Sequence, residues 1–123
     1  MNAHVRLCHA DEVPEGSSRG FDPAGSGRDA LFVVRRASRV HAWLDACPHW
    51  RGAPMAWRKD AYLSGDRTAI VCAAHGARFD IASGLCTLGP CLGQSLTRVP
   101  LIENESGELL VQLPLPTFEE TNP

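Results

Sequence analysis

Two short Cys/His motifs constrain this chain more than any other feature of its sequence. The first is Cys-Pro-His at 47–49 and the second is Cys-Ala-Ala-His-Gly at 72–76, with 22 residues between them. Each motif follows a predicted β-strand. In extended backbone, residues i and i+2 point to the same side, and a Cys-x-x-His turn also directs both side chains inward. Cys47, His49, Cys72 and His75 therefore form a candidate metal site.

The residues between these side chains favour the same geometry. Pro48 fixes its own φ angle and biases Cys47 away from helical backbone. Gly76 allows a sharp turn of the backbone that can bring an N–H close to a bound group. Two thiolates with two imidazoles suit either a tetrahedral zinc ion or an iron–sulfur cluster, so the donor set alone leaves both chemistries open.

Composition narrows the class of protein. The chain has 123 residues and is 44% hydrophobic, which predicts one folded domain. A net charge of only −2 gives no electrostatic footprint for nucleic acid. Residues 1–12 lack the apolar stretch of a signal peptide, and no later run reaches the roughly 20 apolar residues of a membrane span. We therefore expect a cytoplasmic protein, in which five cysteines indicate metal binding or redox chemistry before disulfides.

Strand signals dominate the sequence. A first short strand is predicted at His4–His9, and the Gly-, Ser- and Pro-rich residues 14–29 are typical of a long surface loop. The β-favouring run at Ala30–Arg36 and the alternating segment Val40–Asp45 predict a β-hairpin. Met55–Tyr62 carries a weak signal for a helical turn.

The second half continues the all-β pattern. Short strands are predicted at Thr68–Cys72 and Arg78–Ile81, with a turn at Ser83–Gly84. Arg98–Ile102 and Glu108–Leu113 flank turn residues and predict a second hairpin. Many short strands with closely spaced turn signals indicate a mainly β domain.

The two motifs, followed by Phe79-Asp80, resemble the two cluster-binding boxes of Rieske proteins. With Ser83-Gly84 and the Gly89-Pro90 turn, the resemblance covers roughly Val5 to Leu113. It is closest in kind to the Rieske ferredoxins of ring-hydroxylating oxygenase systems. The segment between the boxes is longer than in small Rieske ferredoxins generally, and the extra length falls in Met55–Asp66.

The resemblance implies a Rieske 2Fe–2S cluster, with the inner iron held by the two cysteines and the outer iron by the two histidines near the surface. It also implies the Rieske fold, an antiparallel β-sandwich base with a small cluster-binding subdomain. We therefore expect a single domain over residues 1–123. Its cluster-binding part is expected at about 45–82, its base at about 4–44 and 83–113, and a tail at 114–123.

The function implied is electron transfer without catalysis. Electrons would pass from a flavin-linked NAD(P)H reductase to a terminal oxygenase, through transient docking near His49 and His75, without nucleic acid or membrane as partner. Trp50, Pro54 and Met55 would shield the cluster and offer an apolar docking surface.

Neighbouring residues predict a low reduction potential. Rieske proteins of the cytochrome bc complexes add a cysteine to each box, joined as a disulfide, and a serine after His-Gly that donates to a bridging sulfide. This chain has Ala74 and Ala77 at the two positions in the second box, and no cysteine within Trp50–Ile70. Fewer hydrogen bonds to the cluster leave its reduced form less stabilised, which predicts a potential near the low end of a range of about −150 to +300 mV.

Three alternatives were open. A structural zinc module satisfies the same donors, although such sites favour Cys-x₂₋₄-Cys and His-x₃₋₅-His pairs. An oxygenase subunit would need a further mononuclear iron site of two histidines and a carboxylate in a further domain, for which we expect 123 residues to leave no room. A third possibility is a Rieske subunit bound tightly in a larger oxidoreductase.

The remaining candidates have simpler interpretations. Cys8, Cys86 and Cys91 are expected to be small buried thiols, and Trp43 is expected in the core. Asp11, Glu12 and Glu15 are expected to form a solvated acidic face.

Overall fold

The computed structural model describes residues 3–48, 55–56, 59–73 and 76–116. Across these ranges the backbone forms strands and turns, with one short 3-10 helix at Ala10–Glu12. No helix among the described residues is long and apolar enough to cross a membrane. In chain order the strands are β1 Ala3–His9, β2 Ser18–Phe21, β3 Leu31–Arg36, β4 Arg39–Leu44, β5 Ile70–Val71, β6 Arg78–Phe79, β7 Cys86–Leu88, β8 Ile102–Glu103 and β9 Glu108–Leu113.

The strands form three antiparallel sheets of three strands each within the described residues. Their orders are β1-β9-β8, β2-β3-β4 and β5-β6-β7. The first sheet joins the two ends of the chain, since β1 pairs along β9 with Val5 opposite Val111. The third sheet flanks the second motif, because β5 ends at Val71 and β6 begins at Arg78. The expected all-β antiparallel fold is confirmed.

The central strand β3 separates two hydrophobic cores. Its residues Leu31, Phe32, Val33 and Val34 are all fully buried. Successive side chains of a strand point to opposite faces. Leu31 and Val33 accordingly pack with β1 and β9 residues such as Val111, whereas Phe32 and Val34 pack with Trp43 and the residues of the third sheet. A continuous apolar run is what a strand buried on both faces requires.

The β3–β4 hairpin has a two-residue turn at Ala37 and Ser38. Both residues have positive φ angles, 53° and 66°, as a type I′ turn requires. The Glu15 carboxylate accepts hydrogen bonds from both of their backbone N–H groups, at 2.8 and 2.9 Å. This member of the predicted acidic face is exposed, and it also caps the turn.

Several sequence predictions are corrected. Residues 14–29 are not a loop throughout, because β2 lies within them and covers the edge of β3, with Gly20 opposite Phe32. The described residues of Met55–Tyr62 contain no helix. Strand β7 was not predicted, and of Arg98–Ile102 only Ile102 lies in a regular strand. Pro100 lacks the N–H that a longer strand would use.

Candidate metal centre

The second motif occupies the loop of a β-hairpin. Strands β5 and β6 pair with Val71 opposite Arg78, so residues 72–77 form the connection. The Cys72 N–H donates to the Ala77 carbonyl at 2.9 Å and closes the loop at its base. Cys72 and Ala77 are fully buried, whereas Ala73 and Gly76 are exposed. The loop therefore keeps Cys72 inside, while its described residues Ala73 and Gly76 lie at the surface.

Gly76 has the positive φ expected of it, at 70°. Among the described atoms, an added Cβ would meet nothing within 4 Å. The positive φ angle, rather than crowding, therefore favours glycine at this position. Its N–H donates to the Cys72 carbonyl at 2.8 Å. This hydrogen bond helps to close the loop that carries the second motif.

The first motif follows the end of β4. The Asp45 N–H donates to the Ala30 carbonyl at 2.9 Å, which ties the chain back to the start of β3. Two residues later Cys47 is fully buried, and Pro48 is half-buried. The predicted ligands His49 and His75 lie outside the described residues.

Met55 joins the two motif segments through its backbone. Its N–H donates to the Asp45 carboxylate at 2.8 Å, and its carbonyl accepts from the Ala73 N–H at 2.8 Å. Asp45 precedes Cys47 by two residues, and Ala73 follows Cys72 directly. One residue of the inter-motif segment thus holds both cysteine-bearing segments at fixed separation.

Tyr62 makes a second connection of the same kind. Its hydroxyl donates to the other Asp45 carboxylate oxygen at 2.9 Å, and its carbonyl accepts from the Val71 N–H at 2.9 Å. The ring stacks on Phe32 with centroids 4.1 Å apart and an 8° interplanar angle. Asp45, Met55 and Tyr62 therefore form a brace between the two cysteines, which we call the Asp45 brace.

Burial dominates the electrostatics of this brace. It raises the pKa of the Asp45 carboxyl, while the Met55 N–H and the Tyr62 hydroxyl act in the opposite direction. Burial, together with the adjacent Asp45 charge, also raises the pKa of the Tyr62 hydroxyl. Tyr62 therefore stays protonated and remains a donor.

Sequence reasoning did not identify Asp45 or Tyr62 as site residues. The signal available in the sequence was an acidic residue, Asp45, at the end of an apolar strand. In the structure Asp45 is only 6% exposed, and a buried carboxylate needs hydrogen-bond donors. Met55 was expected on a docking surface. It is fully buried instead, so that prediction is wrong for Met55, while Trp50 and Pro54 lie outside the described residues.

The described residues fit the cluster implied by the sequence. Cys47 and Cys72 are both inaccessible to solvent and belong to one hydrophobic core with Met55 and Ala77. All five cysteines are among the described residues, and none of them forms a disulfide. Two buried thiols in adjacent loops supply the soft donors that an iron ion prefers.

Two further thiols lie near this centre. Cys86 and Cys91 are each 2% exposed and belong to the same core, as expected for small buried thiols. Burial raises the pKa of Cys91 to about 12, with further contributions from Cys86 and Cys47. Cys8 is also buried, in the other core, as predicted.

Arg78 lies two residues after the second motif and forms an ion pair with the inter-motif segment. Its guanidinium is 3.8 Å from the Asp66 carboxylate. Hydrogen bonds from Ser64 and Thr68 lower the pKa of Asp66 to about 2. The inter-motif turn therefore presents a permanent negative charge to this arginine.

Comparison with known proteins decides the family. The family model that describes the Rieske [2Fe-2S] domain matches residues 3–118 of this chain. The chain belongs to the Rieske [2Fe-2S] domain family. Its cofactor is accordingly a Rieske-type 2Fe–2S cluster, and its function is electron transfer rather than catalysis. The expected family, cofactor and absence of catalysis are thereby confirmed, and a structural zinc module is not supported.

The relatives that this chain covers almost completely include ferredoxins. The chain is 28% identical over 111 residues to ferredoxin CarAc of Metapseudomonas resinovorans, covering 87% of this chain and 91% of the relative. It is 27% identical to the ferredoxin of carbazole 1,9a-dioxygenase from Nocardioides aromaticivorans IC177, with a TM-score of 0.65 over 89% of this chain and 96% of that one. It also matches a chain of the complex of reduced oxygenase and oxidized ferredoxin in carbazole 1,9a-dioxygenase, with 26% identity, a TM-score of 0.66, and coverage of 88% and 91%.

Proposed function

We propose that this Rieske protein is a cytoplasmic ferredoxin that takes electrons from a flavin-linked NAD(P)H reductase and passes them to a terminal oxygenase. The observation that supports this best is its likeness to a ferredoxin chain found in complex with its oxygenase. When bound, the cluster supplies a centre that accepts and donates one electron. The chain supplies the ligands, their spacing and a surface for docking.

We further propose Cys47, His49, Cys72 and His75 as the cluster ligands. The buried cysteines suit the inner iron, because a thiolate there is shielded from water by Met55 and Ala77. Exposure of Ala73 and Gly76, which flank residues 74 and 75 in the sequence, supports an outer position for His75. The Asp45 brace sets the separation of the two cysteines.

The proposed docking surface surrounds the second loop. Gly89 approaches Ala77 so closely that an added Cβ would lie 2.9 Å from the Ala77 Cα. The turn that contains Gly89 therefore packs beside the second motif. Leu88 and Leu92 on this turn are 59% and 67% exposed, which offers apolar area for a small, transient contact.

Electron paramagnetic resonance of the dithionite-reduced protein tests the ligand set. We expect a signal with a low average g value, because two imidazole nitrogens replace two thiolates on one iron. Replacement of Cys47, His49, Cys72 or His75 by alanine should abolish that signal. His41→Ala is the matched control and should retain it. A low-g signal that survives His49→Ala or His75→Ala would contradict the assignment.

The alternative of a tightly bound subunit predicts a different behaviour. A free carrier elutes separately from the oxygenase in gel filtration and associates with it only transiently. A fixed subunit instead co-elutes with its larger partner at micromolar concentration. Stable co-elution would overturn the proposal of a free carrier while leaving the cluster assignment intact.

A further inference from the structure

Cys86 and Cys91 are in direct side-chain contact. Their Sγ atoms are 3.0 Å apart, with the Cys91 thiol donating toward Cys86. The Cys86 thiol in turn approaches the Leu88 carbonyl at 3.4 Å. Neither cysteine belongs to the proposed cluster ligands, so the electron-transfer function does not account for this contact.

The backbone fixes the two cysteines relative to each other. The Cys86 N–H donates to the Gln94 carbonyl at 2.8 Å, and the Gln94 N–H donates to the Cys91 carbonyl at 2.8 Å. Both cysteines are therefore anchored on one residue. The Leu92 N–H also donates to the Gly89 carbonyl at 3.3 Å, which closes the turn between them. The short distance between the sulfurs follows from the chain path as well as from the side-chain rotamers.

We propose that Cys86 and Cys91 form a reversible dithiol–disulfide site that responds to peroxide. Hydrogen peroxide oxidises one thiol to a sulfenic acid and releases one water. The second thiol then attacks that sulfur, forms the S–S bond and releases a second water. Two S–H bonds and one O–O bond are broken, the thiols lose two electrons, and the peroxide gains them.

Both thiols are buried, so an oxidant needs a local opening to reach them. The chain next to the two cysteines turns at the surface, where Leu88, Gly89, Pro90 and Leu92 are all exposed. Local opening of one short turn therefore admits a small oxidant without unfolding either core. Once a sulfenic acid forms, the neighbouring thiol traps it before further oxidation. In a reducing cytoplasm the resting state is the dithiol.

The site has a defined connection to the cluster loop. The turn it closes packs on Ala77 through Gly89, and Ala77 ends the second motif loop. A disulfide would tie that turn to strand β7 and restrict its opening. We therefore expect oxidation to slow loss of the bound cluster. This consequence depends on the proposed ligand set, whereas formation of the disulfide does not.

Tryptic mapping tests the site without ambiguity. Arg78 and Arg98 bound a peptide, residues 79–98, that contains Cys86 and Cys91 and no other cysteine. The remaining cysteines fall in the separate peptides 7–19, 40–51 and 68–78. The intact holoprotein is treated with hydrogen peroxide, quenched with catalase, unfolded, alkylated and digested. We expect peptide 79–98 to be lighter by two hydrogen atoms, to carry no alkyl group, and to regain two alkylation sites after reduction.

Visible absorption recorded on the same samples separates this result from damage to the cluster. The disulfide should form while the absorption persists, and the oxidised protein should then lose its absorption in denaturant at least about twofold more slowly. Cys91→Ser should not form the bridge, and Cys8→Ser is the matched control that should. Two alkyl groups or a sulfinic acid on peptide 79–98, or oxidation only after the cluster bleaches, would overturn the proposal.

Discussion

Asp45 has two acceptor oxygens and uses both of them inside the protein. One accepts from the Met55 N–H and the other from the Tyr62 hydroxyl, at 2.8 and 2.9 Å. Because these donors lie in the inter-motif segment, the carboxylate holds that segment against the first motif. A buried donor that loses its acceptor costs about 1–3 kcal/mol.

Replacement of Asp45 therefore has a predictable order of effects. Asp45→Ala leaves two buried donors without acceptors and should lower the free energy of unfolding by about 2–5 kcal/mol. Asp45→Asn keeps an oxygen for the Met55 N–H and can donate its amide to the Tyr62 oxygen, so its cost should stay below about 1.5 kcal/mol. Denaturant unfolding followed by circular dichroism and visible absorption measures both. Equal stability of the two variants would contradict the brace.

Strand β4 carries a histidine whose charge opposes folding. Burial, then Arg98 and Arg39, lowers the pKa of His41 below its ordinary value of 6.5, while Asp80 acts in the opposite direction. The folded protein therefore prefers the neutral imidazole. Above pH 6.5 the imidazole is neutral in both the folded and the unfolded protein, so it does not change the free energy of unfolding. That free energy decreases as the pH falls from 6.5 through the lower pKa of the folded state.

The corresponding prediction concerns the pH dependence of Tm. Wild-type Tm should fall between about pH 7.5 and about pH 5.5, and His41→Gln should reduce that fall because glutamine does not titrate. Thermal scans by circular dichroism at both pH values provide the measurement. The difference between the decrease in Tm of the wild type and that of His41→Gln separates the effect of His41 from that of the other titrating groups. An identical fall in both proteins would count against the assignment.

The elements that sequence predicted are those with strong local signals. The hairpin of β3 and β4 follows from the apolar run Leu31–Val34 and from a connection short enough for a two-residue turn. Strand β2 has the composition of a loop, and it forms because β3 is buried on both faces and needs a partner at that edge. Propensity is a weak guide where tertiary pairing decides the outcome.

The candidate site shows the same contrast between local sequence signals and tertiary contacts. Cys47 and Cys72 were identified because their motif spacing is local. The Asp45 brace joins residues separated by 10 and 17 positions, and no periodic pattern links them. The contact between Cys86 and Cys91 also depends on a turn whose closure against Gln94 is a tertiary fact. Sequence thus proposed the donors, and the fold supplies the positioning of Cys47 and Cys72.

At the scale of the whole molecule, two cores share β3 and perform different tasks. The core that contains residues of β1 and β9 holds the first and last strands of the chain together. The other core contains both motif cysteines, Met55 and Tyr62 of the Asp45 brace, and the Cys86–Cys91 pair. These described residues therefore lie on one side of one strand. Electron transfer and sensitivity to oxidation are expected to share that side.

The low potential is the property of the whole molecule that these surroundings predict. Ala77 is fully buried at the end of the second loop and has no hydroxyl to donate. Ala77→Ser supplies one donor, and a neutral hydrogen bond of about 1 kcal/mol corresponds to about 40 mV for one electron. We expect a wild-type midpoint potential of about −150 mV and a positive shift of about 40 mV in Ala77→Ser. Spectroelectrochemical titration measures both potentials. Ala73→Ser, at an exposed position one residue after Cys72, is the matched control and should leave the midpoint unchanged. A wild-type midpoint well above zero, or equal midpoints for both serine variants, would show that missing hydrogen bonds do not set this potential.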